Sequence, residues 1–330
     1  MKAILNNAII LLAIILMMSC SNNLNIFNEY KNIPALKCKE KDIPVLKSIA
    51  LNAGVSLKKL MVYDGAEFFY KEYGNTKNGI FLNSNGDIIA LRLRNTKFNN
   101  LKLLSTLSEL ERIDLSNNRI SKIEGLDNLH KLKNLNLSHN KILKIEGLNN
   151  LHNLKILDLS YNGISKLEGL DNLHKLRGLI LTENNITILE IENLELLELF
   201  CIASNKISGA VNFKDLNKLK VLLIYSNKID AIDFNGLKNL REVMARHNNI
   251  SEIRNIKNSS KLASLDIYGN PIYDIEGIES LKKLKIFYIG MEYNYDYAKA
   301  SPLIEKLKKM EIKVITAPDF FVEPDPKIFE

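Results

Sequence analysis

The sequence has few of the residues on which common functional sites depend. Its three cysteines, Cys20, Cys38 and Cys201, have neither the number nor the spacing of a disulfide framework or a metal site. The motifs G-x-S-x-G and H-E-x-x-H and a glycine-rich phosphate loop are absent. The apolar run near the N-terminus is shorter than the about 20 residues of a membrane-spanning helix. We therefore expect no catalysis, no metal, no cofactor and no small-molecule substrate.

The residues that are present are typical of a soluble protein with a hydrophobic core. Hydrophobic residues make up 46% of the 330 residues and charged residues 25%. The formal net charge of +7 is modest, so the placement of the charges matters more than their sum.

A segment of 22 residues is repeated along the chain. Leu107–Asn128 has the sequence LSELERIDLSNNRISKIEGLDN, and the next 22 residues have the sequence LHKLKNLNLSHNKILKIEGLNN. A third copy follows, LHNLKILDLSYNGISKLEGLDN. Self-similarity at a fixed short period indicates a solenoid of stacked coils, in which neighbouring coils bury one continuous core.

Each position of the repeat has a physical role. Ile113 and Leu115 alternate with polar residues, as in a short strand with one buried face. Asn118 follows where the chain turns out of the strand, and its amide can satisfy backbone groups in its own coil and the next. Ile120 and Ile123 point back inward from the return segment. The short return segments predict 3₁₀ or irregular structure on the outer side.

The register extends over nine to ten coils. Thr96 takes the asparagine position in the first coil, and the tenth coil has Glu292 there. The other eight positions form a predicted structural ladder of asparagines: Asn118, Asn140, Asn162, Asn184, Asn205, Asn227, Asn248 and Asn270.

The repeat resembles the 22-residue, internalin-like leucine-rich repeat of bacterial surface proteins. The resemblance covers residues 88–292 and implies an α/β solenoid, a horseshoe or arc with a parallel β-sheet on its concave side. It also implies a protein partner and supplies no catalytic residues. Caps are expected at both ends, because an open core end invites aggregation.

The two caps have their own signals. Residues 33–87 contain a predicted helix, DIPVLKSIALNA, ended by Gly54, and a hairpin turning at Asn85-Gly86. Residues 293–330 contain a helix expected to start at Ser301-Pro302, then a last strand and a proline-rich tail. This arrangement resembles the caps of extracellular leucine-rich repeat proteins.

The N-terminus has the pattern of an export signal. The apolar run Ala8–Met18 follows Lys2 and precedes Ser19-Cys20, which predicts a signal peptide over residues 1–19. The sequence LMMSCS resembles a bacterial lipobox, which implies acylation of Cys20, a tether over residues 20–32 and anchoring to the cell envelope, at the outer membrane or cell surface. The alternatives are an ordinary signal peptide cleaved nearby and an uncleaved anchor.

The outward positions of the predicted strands change character along the chain. They are polar in the first coils and apolar over four consecutive coils further on. An apolar cluster of this size predicts a binding surface for a protein partner. Its members are Ile156, Ile180, Leu199, Cys201, Val221, Leu223, Tyr225, Met244 and Tyr268. Two alternatives are a cover formed by the chain's own C-terminal segment and neutral drift.

Two other outward patterns favour no further function. His130, His152 and His174 recur at 22-residue spacing, but no cysteine or carboxylate column accompanies them, so we expect a copied solvent-facing residue. The strand columns mix basic and acidic residues, which argues against nucleic acid: Arg92, Arg94, Arg112 and Arg246 with Asp114, Asp158, Glu183, Glu242 and Asp266.

The sequence therefore predicts a monomeric, lipid-anchored leucine-rich repeat protein that binds another protein in adhesion or at the envelope. The alternative is a structural envelope protein that associates with itself.

Overall fold

The computed structural model describes residues 39–55, 61–64, 78–290 and 295–316. The predictions for the signal peptide, Cys20, the tether, Cys38, Glu292 and the C-terminal tail lie outside these residues. The described residues form two compact units, residues 39–179 (the N-terminal unit) and residues 180–316 (the C-terminal unit).

The described residues of the N-terminal unit form one α-helix and a series of short strands. The helix is α1 (Ile43–Ala53), and a 3₁₀ helix spans Leu101–Leu104. The strands are β1 (Met61–Asp64), β2 (Gly79–Leu82), β3 (Ile88–Arg92), β4 (Arg112–Asp114), β5 (Asn134–Asn136), β6 (Ile156–Asp158) and β7 (Gly178–Ile180), whose last residue begins the C-terminal unit.

The helix α1 covers the beginning of the repeats. It buries Leu46, Ile49, Ala50 and Ala53 and contacts the 3₁₀ helix Leu101–Leu104. Gly54 ends it with a φ of 68° and donates its N–H to carbonyls of the last turn, as in a glycine C-cap.

A hairpin joins this cap to the first coil. β2 and β3 are antiparallel, and the Asn83 side chain organises the turn by accepting the N–H groups of Asn85 and Asp87 at 2.9 Å each. From β3 to β6 all neighbouring strands are parallel, in register at 22-residue spacing. The predicted helix and hairpin are therefore both present.

Some glycines of the return segments are required by close packing. Gly147 has a φ of 66°, and a Cβ added there would lie against the carbonyl oxygen of Ile123 in the preceding coil. Gly169 stands in the same relation to Ile145 one coil later. A side chain at either position would meet backbone as well as an unfavourable φ.

The C-terminal unit contains two parallel sheets. The larger one has the order β8 (Leu199–Cys201), β10 (Val221–Leu223), β12 (Glu242–Met244), β14 (Ser264–Asp266), β15 (Ile286–Tyr288) and β16 (Lys313–Ile315). The smaller one has the order β13 (Glu252–Arg254), β11 (Lys228–Asp233) and β9 (Ser208–Asn212). The 3₁₀ helices Ile256–Asn258 and Ile278–Ser280 complete the return segments, together with irregular chain.

The smaller sheet departs from the predicted outer side. Three return segments are strands, where 3₁₀ or irregular structure was expected. In β11 the side chains of Lys228 and Asp230 are exposed and those of Ile229 and Ala231 are buried, which is the period-2 pattern of a strand.

The helix α2 (Tyr297–Lys309) and β16 close the C-terminal unit. The predicted helix start at Ser301-Pro302 is wrong, because Asp296 accepts the N–H of Lys299 at 2.9 Å and caps the helix earlier. Pro302 consequently lies inside the helix. β16 pairs in parallel with β15, and α2 packs against it.

Candidate binding surface

Three rows of side chains line the outward positions of the larger sheet in the C-terminal unit. They alternate with the inward-facing Phe200, Leu222, Val243 and Leu265, which belong to the core. The first row is Leu199, Val221, Glu242, Ser264 and Ile286. The second is Ile180, Cys201, Leu223, Met244, Asp266 and Tyr288. The third, from backbone hydrogen bonds, is Thr182, Ala203, Tyr225, Arg246, Tyr268 and Gly290. We call these the outward rows.

Eight of the nine residues predicted to bind a partner lie in the outward rows. All eight are buried in the full-length chain: Ile180, Leu199, Cys201 and Leu223 have 0% exposure, and Val221, Tyr225, Met244 and Tyr268 have 5–8%. The apolar cluster is therefore brought together as predicted, but it is not open to solvent in this chain.

The ninth residue, Ile156, lies in the N-terminal unit. It is the first residue of β6, between Asn134 on β5 and Gly178 at the start of β7. Its side chain is half-buried.

Cys201 lies at the apolar end of the second row. Its sulfur is 2.9 Å from the hydroxyl of Thr182, on the neighbouring coil of the third row. Both side chains have no exposed surface. The thiol is thus held in a buried contact on the outward side of the strands.

The other end of the outward rows carries a buried charged cluster. Arg246 and Asp266 form an ion pair between neighbouring strands, and Glu242 lies diagonally beside them in the first row. Asp266 is 1% exposed and Glu242 2% exposed. Burial, together with the charge of Asp266, raises the pKa of Glu242 to about 7. Burial also raises the pKa of Asp266, against the opposing effect of Arg246.

The sequence pattern did not predict that these three residues form one cluster. It showed them only as part of a mixture of basic and acidic side chains along the strands. A signal was available, because Arg246 and Asp266 are 20 residues apart, which places them diagonally on adjacent coils. The N-terminal unit repeats the arrangement at the same offset, with an ion pair between Arg94 and Asp114. Asp158 lies two coils further on, and burial raises its pKa to about 6 although Ser160 donates to it at 2.6 Å.

The ladder asparagines connect successive coils inside each unit. Asn140 donates to the carbonyls of Leu115 and Leu137, both at 3.0 Å, and accepts the N–H of Ile120 at 2.9 Å. Asn227 makes the same bonds to Ile202, Ile224 and Ile207. The bonds within the asparagine's own coil confirm the expectation, but those between coils run to the preceding coil, so the expectation that they reach the next coil is wrong. The direction of these hydrogen bonds is set by the turn after the strand, because the turn determines where the asparagine amide lies.

The residue before each ladder position has a left-handed backbone. The φ angles lie between 52° and 56° at Asn95, Asn117, His139, Tyr161, Glu183, Ser204, Ser226 and His247. Gly269 occupies the equivalent place before Asn270, with a φ of 74°. The varied side chains show that the turn into the ladder imposes this conformation, since most of these residue types disfavour it.

The predicted histidine column lies at the surface of the N-terminal unit. His130, His152 and His174 are exposed, on the turns that precede the strands. In the part of the chain that is described, no three His, Cys, Asp or Glu side chains are grouped so that they could hold a metal ion.

Among the helices of the described residues, none is both long and apolar enough to cross a membrane.

Comparison with known proteins agrees with this architecture. A family model described as leucine-rich repeats in two copies matches residues 108–150 and 130–172. No curated protein matches the sequence. An internalin from Listeria monocytogenes is similar in structure, with 27% identity, a TM-score of 0.60, and coverage of 70% of this chain and 67% of the internalin.

A leucine-rich repeat protein from Leptospira interrogans shares the fold, with 22% identity and a TM-score of 0.63. The match covers 71% of this chain and 60% of the Leptospira protein's length. The repeats, the parallel sheets and these likenesses define a leucine-rich repeat solenoid. The chain is similar to internalin-like leucine-rich repeat proteins, a class whose fold generally serves as a protein-interaction scaffold.

Proposed function

We propose that this protein is anchored to the cell envelope through Cys20 and binds a protein partner through the outward rows of its C-terminal unit, without catalysis. The observation that carries the proposal is the apolar content of these rows. Positions that point away from the core of the coil carry Leu199, Val221, Leu223 and Met244 on three neighbouring strands.

The chemistry of the rows suits a protein interface. Apolar and aromatic side chains form the energetic centre of such interfaces, and tyrosine and methionine are well adapted to them. The charged cluster of Glu242, Arg246 and Asp266 lies at one side, where it can select a partner by charge. The rows therefore combine an apolar centre with a specific polar edge.

Partner capture tests the proposal. The double variant Leu223→Asp/Met244→Asp places two charges in the second row and is expected to lose at least about 90% of a crosslinked partner, taken from intact cells or host extract. The matched control is Ile188→Asp/Leu196→Asp, since these apolar side chains of the same unit are 63% and 38% exposed. Circular dichroism checks that all variants remain folded.

Two results would count against the proposal. Equal capture by the folded row variant and the wild type would show that the rows do not bind the partner. Oligomers that form with rising concentration and vanish in the row variant would instead support the alternative of a self-associating envelope protein.

A further inference from the structure

A row of basic side chains follows the ladder in the N-terminal unit. The position directly after the ladder residue holds Lys97, Arg119 and Lys141 in three successive coils. Backbone hydrogen bonds stack these positions, because Arg119 donates its N–H to Phe98 at 3.0 Å and Lys141 donates its N–H to Ile120 at 2.8 Å. Neighbouring positions of the row therefore lie about one strand spacing, 4.8 Å, apart.

A second basic row lies three residues further along the same return segments. It contains Lys122 and Lys144, and all five side chains of the two rows are exposed. Among the described residues, none of the five has a carboxylate within ion-pair distance. The carboxylate of Glu124, two residues after Lys122, is already paired with Lys102 at 3.1 Å. Cations therefore exceed carboxylates on this side of the unit.

A large apolar side chain protrudes between the two rows. Leu143 lies between Lys141 and Lys144 in the chain and is 63% exposed, although its neighbour Ile142 is buried. The next coil has Gly163 beside it, where an added Cβ would lie 2.7 Å from Leu143 Cδ2. The glycine thus leaves room for the leucine. We call Leu143 and the five cations of the two rows the basic side.

From this juxtaposition we propose that the basic side is a contact site for an anionic phospholipid surface. The negative potential of such a surface attracts basic side chains that lie within about one Debye length of it. A protruding leucine adds the burial of apolar surface among headgroups and acyl chains. A soluble polyanion would use the charges and gain nothing from the leucine. The basic side belongs to the N-terminal unit and is a second surface beside the outward rows.

The turns at the other end of the strands provide a control in the same unit. Lys131 is paired there with Glu109 at 2.6 Å. Lys155 and Lys175 are exposed in these turns, and the Lys175 ammonium donates to the Asn153 side chain at 2.8 Å. Replacing Lys155 and Lys175 therefore changes the net charge of the unit as much as replacing two lysines of the basic side.

Cosedimentation with vesicles tests the inference. The protein is the full chain with Cys20→Ser, so that acyl chains at this position do not contribute. Vesicles of phosphatidylcholine with about 30% phosphatidylglycerol are compared with vesicles of phosphatidylcholine alone, so that apolar binding elsewhere in the chain cancels. We expect a partition coefficient at least about tenfold higher on the anionic vesicles, since each basic residue near the surface contributes about a factor of five.

Two pairs of variants separate the charges from the leucine. Lys122→Glu/Lys144→Glu should abolish the preference for anionic vesicles, and Lys155→Glu/Lys175→Glu should keep it within about twofold, because distant charges are screened. Leu143→Ser should lower binding to anionic vesicles at least about threefold. Its control is Ile188→Ser, since Ile188 in the C-terminal unit is also 63% exposed, and this variant should bind like the wild type.

Three results would overturn the inference. They are the absence of a preference for anionic vesicles in the wild type, an equal loss in the two lysine variants, and unchanged binding of Leu143→Ser. The last result would identify a site for a soluble polyanion. Circular dichroism checks the fold, and Arg119→Gln/Lys141→Gln replaces the first lysine variant if that variant unfolds.

The proposed function of the outward rows is tested separately. Lys122→Glu/Lys144→Glu should capture the protein partner like the wild type, and Leu223→Asp/Met244→Asp should keep its preference for anionic vesicles. Failure of the basic side and failure of the outward rows therefore give different results.

Discussion

At the scale of single residues, Glu242 shows how an ordinary position acquires unusual chemistry. It is the first residue of β12, between Val221 and Ser264 on the neighbouring strands. The alternation of the strand predicts that it faces outward, where a glutamate is normally solvated. In the structure it is 2% exposed and lies near Asp266, which already pairs with Arg246. Burial, and not the residue type, therefore sets its protonation.

The raised pKa of Glu242 predicts a pH-dependent stability. Its ordinary pKa of 4.5 applies in the unfolded chain and about 7 in the folded chain, so the folded state holds the proton more tightly. The contribution to stability is complete below pH about 4.5 and is lost as the pH rises to about 7, by roughly 2–3 kcal/mol. The pH dependence of the melting temperature measures this loss.

The variant Glu242→Gln should remove this part of the pH dependence, because its side chain does not titrate. Glu190→Gln, an exposed glutamate in the same unit, is the control and should keep the wild-type profile. Identical profiles for the wild type and Glu242→Gln between pH 4.5 and 7 would contradict the assignment.

At the scale of the coil, strand and ladder form one element. The strand brings the aliphatic side chains inward, the left-handed residue turns the chain, and the ladder asparagine ties the turn to the coil before it. The period of the sequence predicts the strand and the asparagine. It does not predict the left-handed residue, because Tyr161 and Glu183 do not prefer that conformation.

The ladder has a measurable effect on stability. Asn140→Ala removes the bonds donated to the carbonyls of Leu115, Leu137 and Ser138. It also leaves the N–H of Ile120 without this acceptor. We expect a loss of roughly 3 kcal/mol in the free energy of unfolding of the N-terminal unit, since unpaired buried backbone groups are costly.

Urea unfolding with hydrogen exchange in the N-terminal unit checks this value. Asn153→Ala is the matched control, because the Asn153 side chain bonds to the His130 carbonyl at 2.8 Å in a solvent-exposed turn. It should cost less than about 1 kcal/mol. Equal losses for the two alanine variants would show that the ladder bonds add nothing beyond those of a surface asparagine.

At the scale of the whole molecule, the repeats provide a scaffold, and the proposed binding surface lies where the chain departs from the regular repeat. The most regular copies, residues 107–172, lie in the N-terminal unit, and the apolar outward rows lie in the C-terminal unit. The proposed anchor at Cys20 would hold this scaffold at the envelope. More than one acyl chain on Cys20 would make that anchoring stable.

Metabolic labelling tests the anchor. Labelled palmitate should be incorporated into the wild-type protein and not into Cys20→Ala, because the acyl chains would attach at that cysteine. Cys38→Ala is the control and should be labelled like the wild type. Equal labelling of Cys20→Ala, or none in the wild type, would exclude the lipoprotein assignment.

The amino-acid sequence by itself determined the coil register, the inward side chains and the ladder positions, because these repeat with the local period of the chain. Only the tertiary structure decided that the outward rows are buried, that three return segments form a second sheet, and that the ladder bonds run to the preceding coil. It also placed the start of α2 at Tyr297, ahead of Pro302. These features depend on contacts between residues distant in the chain or on capping by a single side chain, which a repeat pattern does not encode.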